Sequence, residues 1–269
     1  FSCPMKWVSS HLLHLEKGNF DIRLIDHAAI GIKLHQILER FFREVQRTTE
    51  TWRSSCEEQY RQSLVSIIDE VFVAYGRSAE APSRTTMNYI RSRYTRQLMD
   101  IITAESRMFD GFGSLGFEHA ITSEEEGCSL FGRIDRILVR QEPDGSETVA
   151  LVDYKKRHGG STKAYAEDPA RMPSRQLPLY AKLLAQVGID GRSRDVAIGA
   201  FYDISGGKYI PIWEQGETAV RDALIEAVTA HIRQMIDDLQ EGRLGATPSK
   251  QSCSFCDFRQ ICRRRYALV

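Results

Sequence analysis

None of the 269 residues fall in an apolar run approaching the ~20 that a membrane-spanning helix needs, so no membrane partner is expected. Neither sign of charge is in excess: 36 Lys+Arg stand against 36 Asp+Glu, which excludes a wholesale polycation. A local basic stripe beside an acidic site remains compatible with that balance. Cysteine is scarce, with six residues and no signal-peptide layout ahead of them, so a disulfide scaffold is excluded. Repeats and low-complexity tracts are missing, and 42% hydrophobic residues set the chain apart from disordered or collagen-like sequences. No Gly-rich loop ends in Gly-Lys-Ser/Thr, which removes an ATP motor, and no Ser/His/Asp spacing suggests a hydrolytic triad. Gly111-Phe-Gly-Ser-Leu-Gly116 matches a dinucleotide fingerprint in letters only. It follows a helical pattern and opens into a strand-like one, the reverse of the required order. The chain begins Phe1-Ser2-Cys3-Pro4 without a starting Met and is read as a piece of a longer protein.

What is present divides by period. Gly31, Leu34, His35, Leu38, Phe41 and Phe42 share one helical face, and further amphipathic stretches follow around Leu64–Tyr75 and Met87–Met108. Ser129–Arg140 and Thr148–Lys156 alternate as strands about Pro143-Asp144-Gly145, a strong turn signal. After a polar stretch, 157–173, read as a loop, Gln176–Val187 is a helix with Pro178 tolerated in its first turn. Val196–Tyr202 and Lys208–Trp213 form a second hairpin about Ser205-Gly206-Gly207, and Thr218–Gln240 is a long amphipathic helix. The expected architecture is α/β, one domain over 1–269. Its parts are a helical lobe at about 40–110, a sheet-bearing core at about 115–240 and a cysteine tail at 246–269.

The first hairpin carries the chemistry. Alternate residues of a strand share a face, so Asp153 and Lys155 point the same way. Asp144, at the turn, lies nine residues from both Asp135 and Asp153, which sets those two approximately opposite with Cβ atoms ~5 Å apart. Facing carboxylates repel unless a cation separates them, and oxygen ligands suit a hard ion such as Mg²⁺ or Mn²⁺. A metal with a lysine beside it has the means to hydrolyse a phosphodiester: the ion stabilises charge on phosphate, and the ammonium positions or activates water. A lone His35 or Tyr180 on an apolar helix face is ordinarily core, and Gln176 alone is an ordinary helix start; only their company raises them.

The ordered set Gly31…His35…Glu39, Glu118, Gly132-Arg-Ile-Asp135-Arg, Asp153-Tyr-Lys155 and Gln176-Leu-Pro-Leu-Tyr180 resembles the RecB branch of the PD-(D/E)XK nuclease superfamily over nearly the whole chain. That resemblance implies a restriction-endonuclease-like mixed central sheet flanked by helices, with a helical insertion. It implies His35, Asp135, Asp153 and the Tyr154 carbonyl as metal ligands and Lys155 as the catalytic lysine. Gln176 and Tyr180 would be the glutamine–tyrosine motif that supports the site and contacts DNA. Glu118 would be an acidic residue before the first strand, in a supporting role.

The tail Cys253-Ser-Phe-Cys256-Asp-Phe-Arg-Gln-Ile-Cys262 offers three thiolates, one short of a complete site, and Cys3 is the natural fourth. Spacing alone admits zinc as well as iron. This arrangement is similar to the AddB-type iron–sulfur nucleases, and the likeness implies a 4Fe–4S cluster that clasps the chain ends together. Cys56 and Cys128 are expected to be ordinary small side chains. Basic residues at Lys155-Lys156-Arg157-His158 and Arg263-Arg264-Arg265 are phosphate-contact candidates. The expected activity is metal-dependent hydrolysis of single-stranded DNA or duplex ends, in double-strand break repair in a bacterial cytoplasm, joined to a helicase module or partner subunit. Two rivals are a catalytically silent DNA-binding scaffold and a free-standing CRISPR-associated RecB-like exonuclease.

Overall fold

Apolar residues at helical spacing and a run of alternating strands build a five-stranded sheet with helices packed on it. The computed structural model describes residues 3–15, 27–78, 81–125, 127–156, 175–248, 253, 256–259 and 261–262. Two compact units are formed: Arg23–Val228, and a second made of Phe1–Ile22 with Thr229–Val269.

In the second unit, α1 (Pro4–Trp7) leads into one π-helical stretch, Val8–Leu12. In the large unit, α2 (His27–Thr49), α3 (Glu57–Gly76) and α4 (Arg84–Met108) follow one another. Their apolar stripes fuse: Leu34, Leu38, Phe41 and Phe42 of α2 share a buried core with Leu64, Ile68 and Phe72 of α3 and Leu98, Ile101 and Ile102 of α4. Ser83 caps α4 by accepting a bond from the Thr86 amide at 3.2 Å, which satisfies one of the donors exposed at a helix start.

The sheet runs β1 (Gly113–Glu125), β2 (Cys128–Gln141), β3 (Glu147–Lys155), β4 (Val196–Asp203) and β5 (Lys208–Trp213) in that order. All neighbours are antiparallel except β3 and β4, which are parallel. The crossover between these two contains α5 (Gln176–Gln186), as a parallel pair requires. Leu138, Ala150, Val152, Tyr154 and Tyr202 from the sheet join the helical core. The last helix, α6 (Thr218–Gln240), begins in the large unit and ends in the second.

Glu118 lies inside β1, not ahead of the sheet as expected. Its φ is +45°, a region that non-glycine residues rarely occupy. Phe117 pairs with Arg136 and His119 with Ile134, so Glu118 and Asp135 drop out of the ladder together while the register continues on both sides. Gly132 and Arg136, which would share a face in a regular strand, meet different helices: Gly132 abuts Tyr180 of α5, and Arg136 stacks on Phe42 of α2.

Candidate active site

The skipped rung is where the acidic residues gather. His35 Nδ1 lies 3.5 Å from Asp135 Oδ2 and 3.6 Å from Glu118 Oε1. Among the described residues, His35, Glu118 and Asp135 are the one group of three or more His, Cys, Asp or Glu ligand atoms all within 4.8 Å of one another. On its other side, His35 Nε2 sits 3.1 Å from the Tyr154 carbonyl, so the imidazole bridges two elements expected to bind metal. Asp135 does not continue the β2–β3 ladder, which ends at Arg136 and Val152; its Oδ2 accepts from the Tyr154 amide at 2.8 Å instead. The carboxylate thus takes over a ladder bond and is fixed against β3.

Asp153 stands outside the group of three but belongs to the same electrostatic cluster. Its residue is 2% exposed, and burial followed by the charge of Asp135 pushes its pKa up to about 6, against the pull of Lys155 and His35. The Lys155 ammonium is 2.7 Å from Asp153 Oδ2, yet that oxygen receives no hydrogen bond of good geometry. Lys155 Nζ instead donates to Gln176 Oε1 at 2.6 Å, and Gln176 Nε2 in turn donates to the Tyr180 hydroxyl at 3.4 Å. Gln176 and Tyr180 are one turn apart on α5, which lets the pair reach the lysine from a rigid element.

Crowding shows in the other groups too. Burial, then the Asp135 charge, raises Glu118, while Arg133, 2.9 Å from Glu118 Oε2, and His35 pull it down. Burial would lower His35, but a hydrogen bond and the charge from Asp135, with Glu118 and Asp153, hold it above its usual value. Three carboxylates converge on one imidazole, and a buried carboxylate oxygen is left with a poorly aimed cation. Those donors fit a hard divalent ion, whose charge relieves repulsion of this type.

Behind the site lies a layer not visible in the sequence. Arg136, next to Asp135, is fully buried; it donates to Glu105 Oε1 at 2.8 Å and Ser114 Oγ at 3.1 Å and lies 3.5 Å over the Phe42 ring. Glu105 Oε2 accepts from the Tyr209 hydroxyl at 2.5 Å, so one carboxylate ties α4 to both β2 and β5. Gly132, a member of the Gly132-Arg-Ile-Asp135-Arg motif, has a packing role. A Cβ there would come within 2.6 Å of Tyr180 Cε1, and an isolated glycine inside a strand is the signal that such a close approach exists.

The cysteines are all free thiols of intermediate burial, and Cys3, Cys253, Cys256 and Cys262 belong to the second unit. Burial pushes the Cys3 thiol up, but bonds from the Thr247, Lys6 and Met5 backbone and the Thr247 side chain outweigh it and hold the pKa below its usual value. The Cys256 amide donates to the Cys253 carbonyl at 3.3 Å, a turn within the tail. Arg157, His158, Arg263, Arg264 and Arg265 lie outside the described residues, as does the whole of the loop expected at 157–173.

Residues 1–263 match the PD-(D/E)XK nuclease superfamily. The chain belongs to that superfamily. It is also 25% identical over 187 residues, 64% of its length, to an ATP-dependent helicase/deoxyribonuclease subunit of Caldanaerobacter subterraneus subsp. tengcongensis. The match spans 16% of that relative's own length. The solved structure of SSO0001 covers 86% of this chain and 96% of its own at 13% identity, with a TM-score of 0.31. The mixed sheet flanked by helices is consistent with a restriction-endonuclease-like fold, and no helix among the described residues is long and apolar enough to cross a membrane.

Proposed function

We propose that this superfamily member is a metal-dependent deoxyribonuclease domain that hydrolyses phosphodiester bonds of single-stranded DNA or duplex ends. The observation that carries this reading is the convergence of His35, Glu118 and Asp135 beside Asp153 and a Lys155 aimed by Gln176. His35, Asp135, Asp153 and the Tyr154 carbonyl would hold Mg²⁺ or Mn²⁺. Bound there, the ion supplies Lewis-acid charge to the phosphate and lowers the pKa of water.

The remaining work falls to the chain. Asp153 and Gln176 hold the Lys155 ammonium between them, beside the acidic cluster, where it orients a water or neutralises phosphate charge. Tyr180 fixes the Gln176 amide, so the lysine's position is inherited from α5. Glu118 pairs with Arg133 and leans on His35, and so sets the imidazole's orientation.

Cys3, Cys253, Cys256 and Cys262 are proposed to hold a 4Fe–4S cluster, with zinc the lesser alternative. A Cys3 sulfur that collects hydrogen bonds at the start of α1 suits a thiolate ligand. Given the helicase/deoxyribonuclease relative, the domain is proposed to act in the cytoplasm as part of a helicase–nuclease that processes DNA ends during double-strand break repair.

The test is digestion of labelled single strands with Mn²⁺ by the parent chain and by Lys155→Ala. The variant is expected to lose at least about 100-fold in rate while remaining folded at the assay temperature by circular dichroism. Digestion at the parent's rate removes the assignment, and binding without cutting by the parent favours a scaffold.

A further inference from the structure

The β1–β2 pairing outruns the rest of the sheet. β3 leaves β2 at Arg136, whereas β1 and β2 stay paired through Ala120↔Arg133 and Thr122↔Phe131 to Glu125↔Cys128. The result is a two-stranded arm that starts at the acidic rung. One side of it is occupied by α5: Gly132 abuts Tyr180, Glu125 accepts from Lys182 at 2.7 Å, and Ser123 bonds Gln186 at 3.4 Å. On the other side, no contact from the described residues covers the arm. Ala120, Thr122, Glu124, Ser129, Phe131 and Arg133 are all exposed, and Phe131 is 70% exposed.

A single exposed apolar residue ordinarily needs no explanation. Phe131 differs in its surroundings. Thr122 stands opposite it, and Ala120 and Ser129 are among the residues beside it on the same side, all too short to cover an aromatic ring. Arg133, two residues nearer the acidic group, shares that side and is held by Glu118, so its guanidinium is anchored next to the candidate ligands. That side therefore presents, in order, carboxylates and imidazole, an oriented cation, and an open aromatic face with Glu124 diagonal to it towards the arm's tip. From the Glu118–Asp135 rung to the Phe131–Thr122 rung is four residues, about 13 Å at a strand's rise of ~3.3 Å. That is about four nucleotides at a stacked spacing of 3.4 Å, and fewer for an extended strand.

Resting on the nuclease reading above, we infer that this arm is a single-strand guide. Phe131 stacks on a base a few nucleotides from the cleaved bond, and Arg133 meets the intervening phosphate. Aromatic stacking suits unpaired bases of any sequence, because each presents a π-face that a duplex keeps hidden. The arm thereby favours single strands over blunt duplexes. Phe131 and Arg133 act as positioning residues, and neither touches the reacting atoms.

The experiment compares the parent chain, Phe131→Ala, Phe131→Trp and Asp153→Asn on a fluorescent single-stranded oligonucleotide and a blunt duplex of the same sequence. Binding is read by anisotropy with Ca²⁺ and cleavage by gel with Mn²⁺. Phe131→Ala is expected to weaken single-strand binding and raise KM about 5- to 150-fold, the range of one stacked base, with kcat and duplex cleavage unchanged. Phe131→Trp is expected to retain parent affinity. An abasic residue moved along the strand should weaken the parent at one position and Phe131→Ala at none. Unchanged single-strand binding by Phe131→Ala, an equal loss on duplex, or an abasic profile that persists without the ring overturns the inference. Cleavage by Asp153→Asn at the parent's rate overturns the nuclease reading instead, so the two failures are told apart. Since Phe131 lies outside the core, the alanine variant is expected to melt with the parent; if it does not, the tryptophan variant and the parent's abasic profile still decide.

Discussion

Replacing Asp153 with asparagine removes a negative charge from the crowded acidic cluster while keeping its shape. In the folded chain this carboxyl is held at about 6 against an ordinary 3.8, because it is buried and faces Asp135. The folded state therefore keeps a proton that the unfolded state has already lost. The stability this group contributes is fully present below pH 3.8 and is lost as the pH rises through about 6. Holding the group ionised at neutral pH then costs about 3 kcal/mol. An asparagine side chain never ionises, so Asp153→Asn in chelator should match the parent near the bottom of that window. Near neutral pH it should melt several degrees higher, at roughly 2–4 °C per kcal/mol for a domain of this size. Mn²⁺ should reverse the order: it relieves the repulsion in the parent and raises its Tm, but finds one ligand fewer in the variant. Thermal melts in chelator and in Mn²⁺, across the pH range, provide the assay. A variant less stable than the parent in chelator at neutral pH, or equal Mn²⁺ shifts in both, would refute the reasoning.

Other consequences follow from the same geometry. Mn²⁺ affinity should fall as pH drops through the raised His35 titration, since the imidazole binds metal only when neutral; titration calorimetry should find that dependence flattened in His35→Gln. Glu105→Ala, which strands the buried Arg136 charge, should cost about 3–5 kcal/mol in urea denaturation, whereas replacing both partners by apolar residues should recover much of it. If the proposed cluster is bound, anaerobically purified protein should absorb in the visible, and Cys3→Ser should bleach that absorption and lower the Tm more than Cys56→Ser; a colourless parent removes the cluster, and equal effects remove Cys3 from the ligand set.

The legible parts of the molecule were those written in local period. Alternation in 129–140 and 148–156 located the hairpin to within a residue or two of Cys128–Gln141 and Glu147–Lys155, and the apolar repeat of Thr218–Gln240 matched its helix. The Asp153–Lys155 spacing and the Gln176–Tyr180 spacing were readable for the same reason, because strand and helix periods decide which side chains share a face. What was not legible depends on long-range packing. Glu118 was expected ahead of the first strand from the family resemblance; that it lies inside β1, with a left-handed backbone, is set by pairing with β2, which the sequence does not display. Nothing local marks Arg136 as buried; its place in the core depends on Glu105, 31 residues earlier in the chain, which α4 brings against it. The bond from the Tyr154 amide to Asp135 was hidden too: the β2–β3 register leads towards Asp135 opposite Asp153, as expected, but register does not reveal that a side chain takes the next ladder bond.

The buried Arg136 has a further implication for how the centre loosens. The residue beside Asp135 is tethered at once to α4, through Glu105, and to the aromatic stack on α2. Local fraying of β2 at this point would expose an unpaired guanidinium to hydrocarbon, so the strand is expected to open only when the surrounding helices open with it. Amide exchange at 135 and 136 should then report cooperative denaturation of the whole unit, and chemical competence should vanish in step with the fold and not ahead of it.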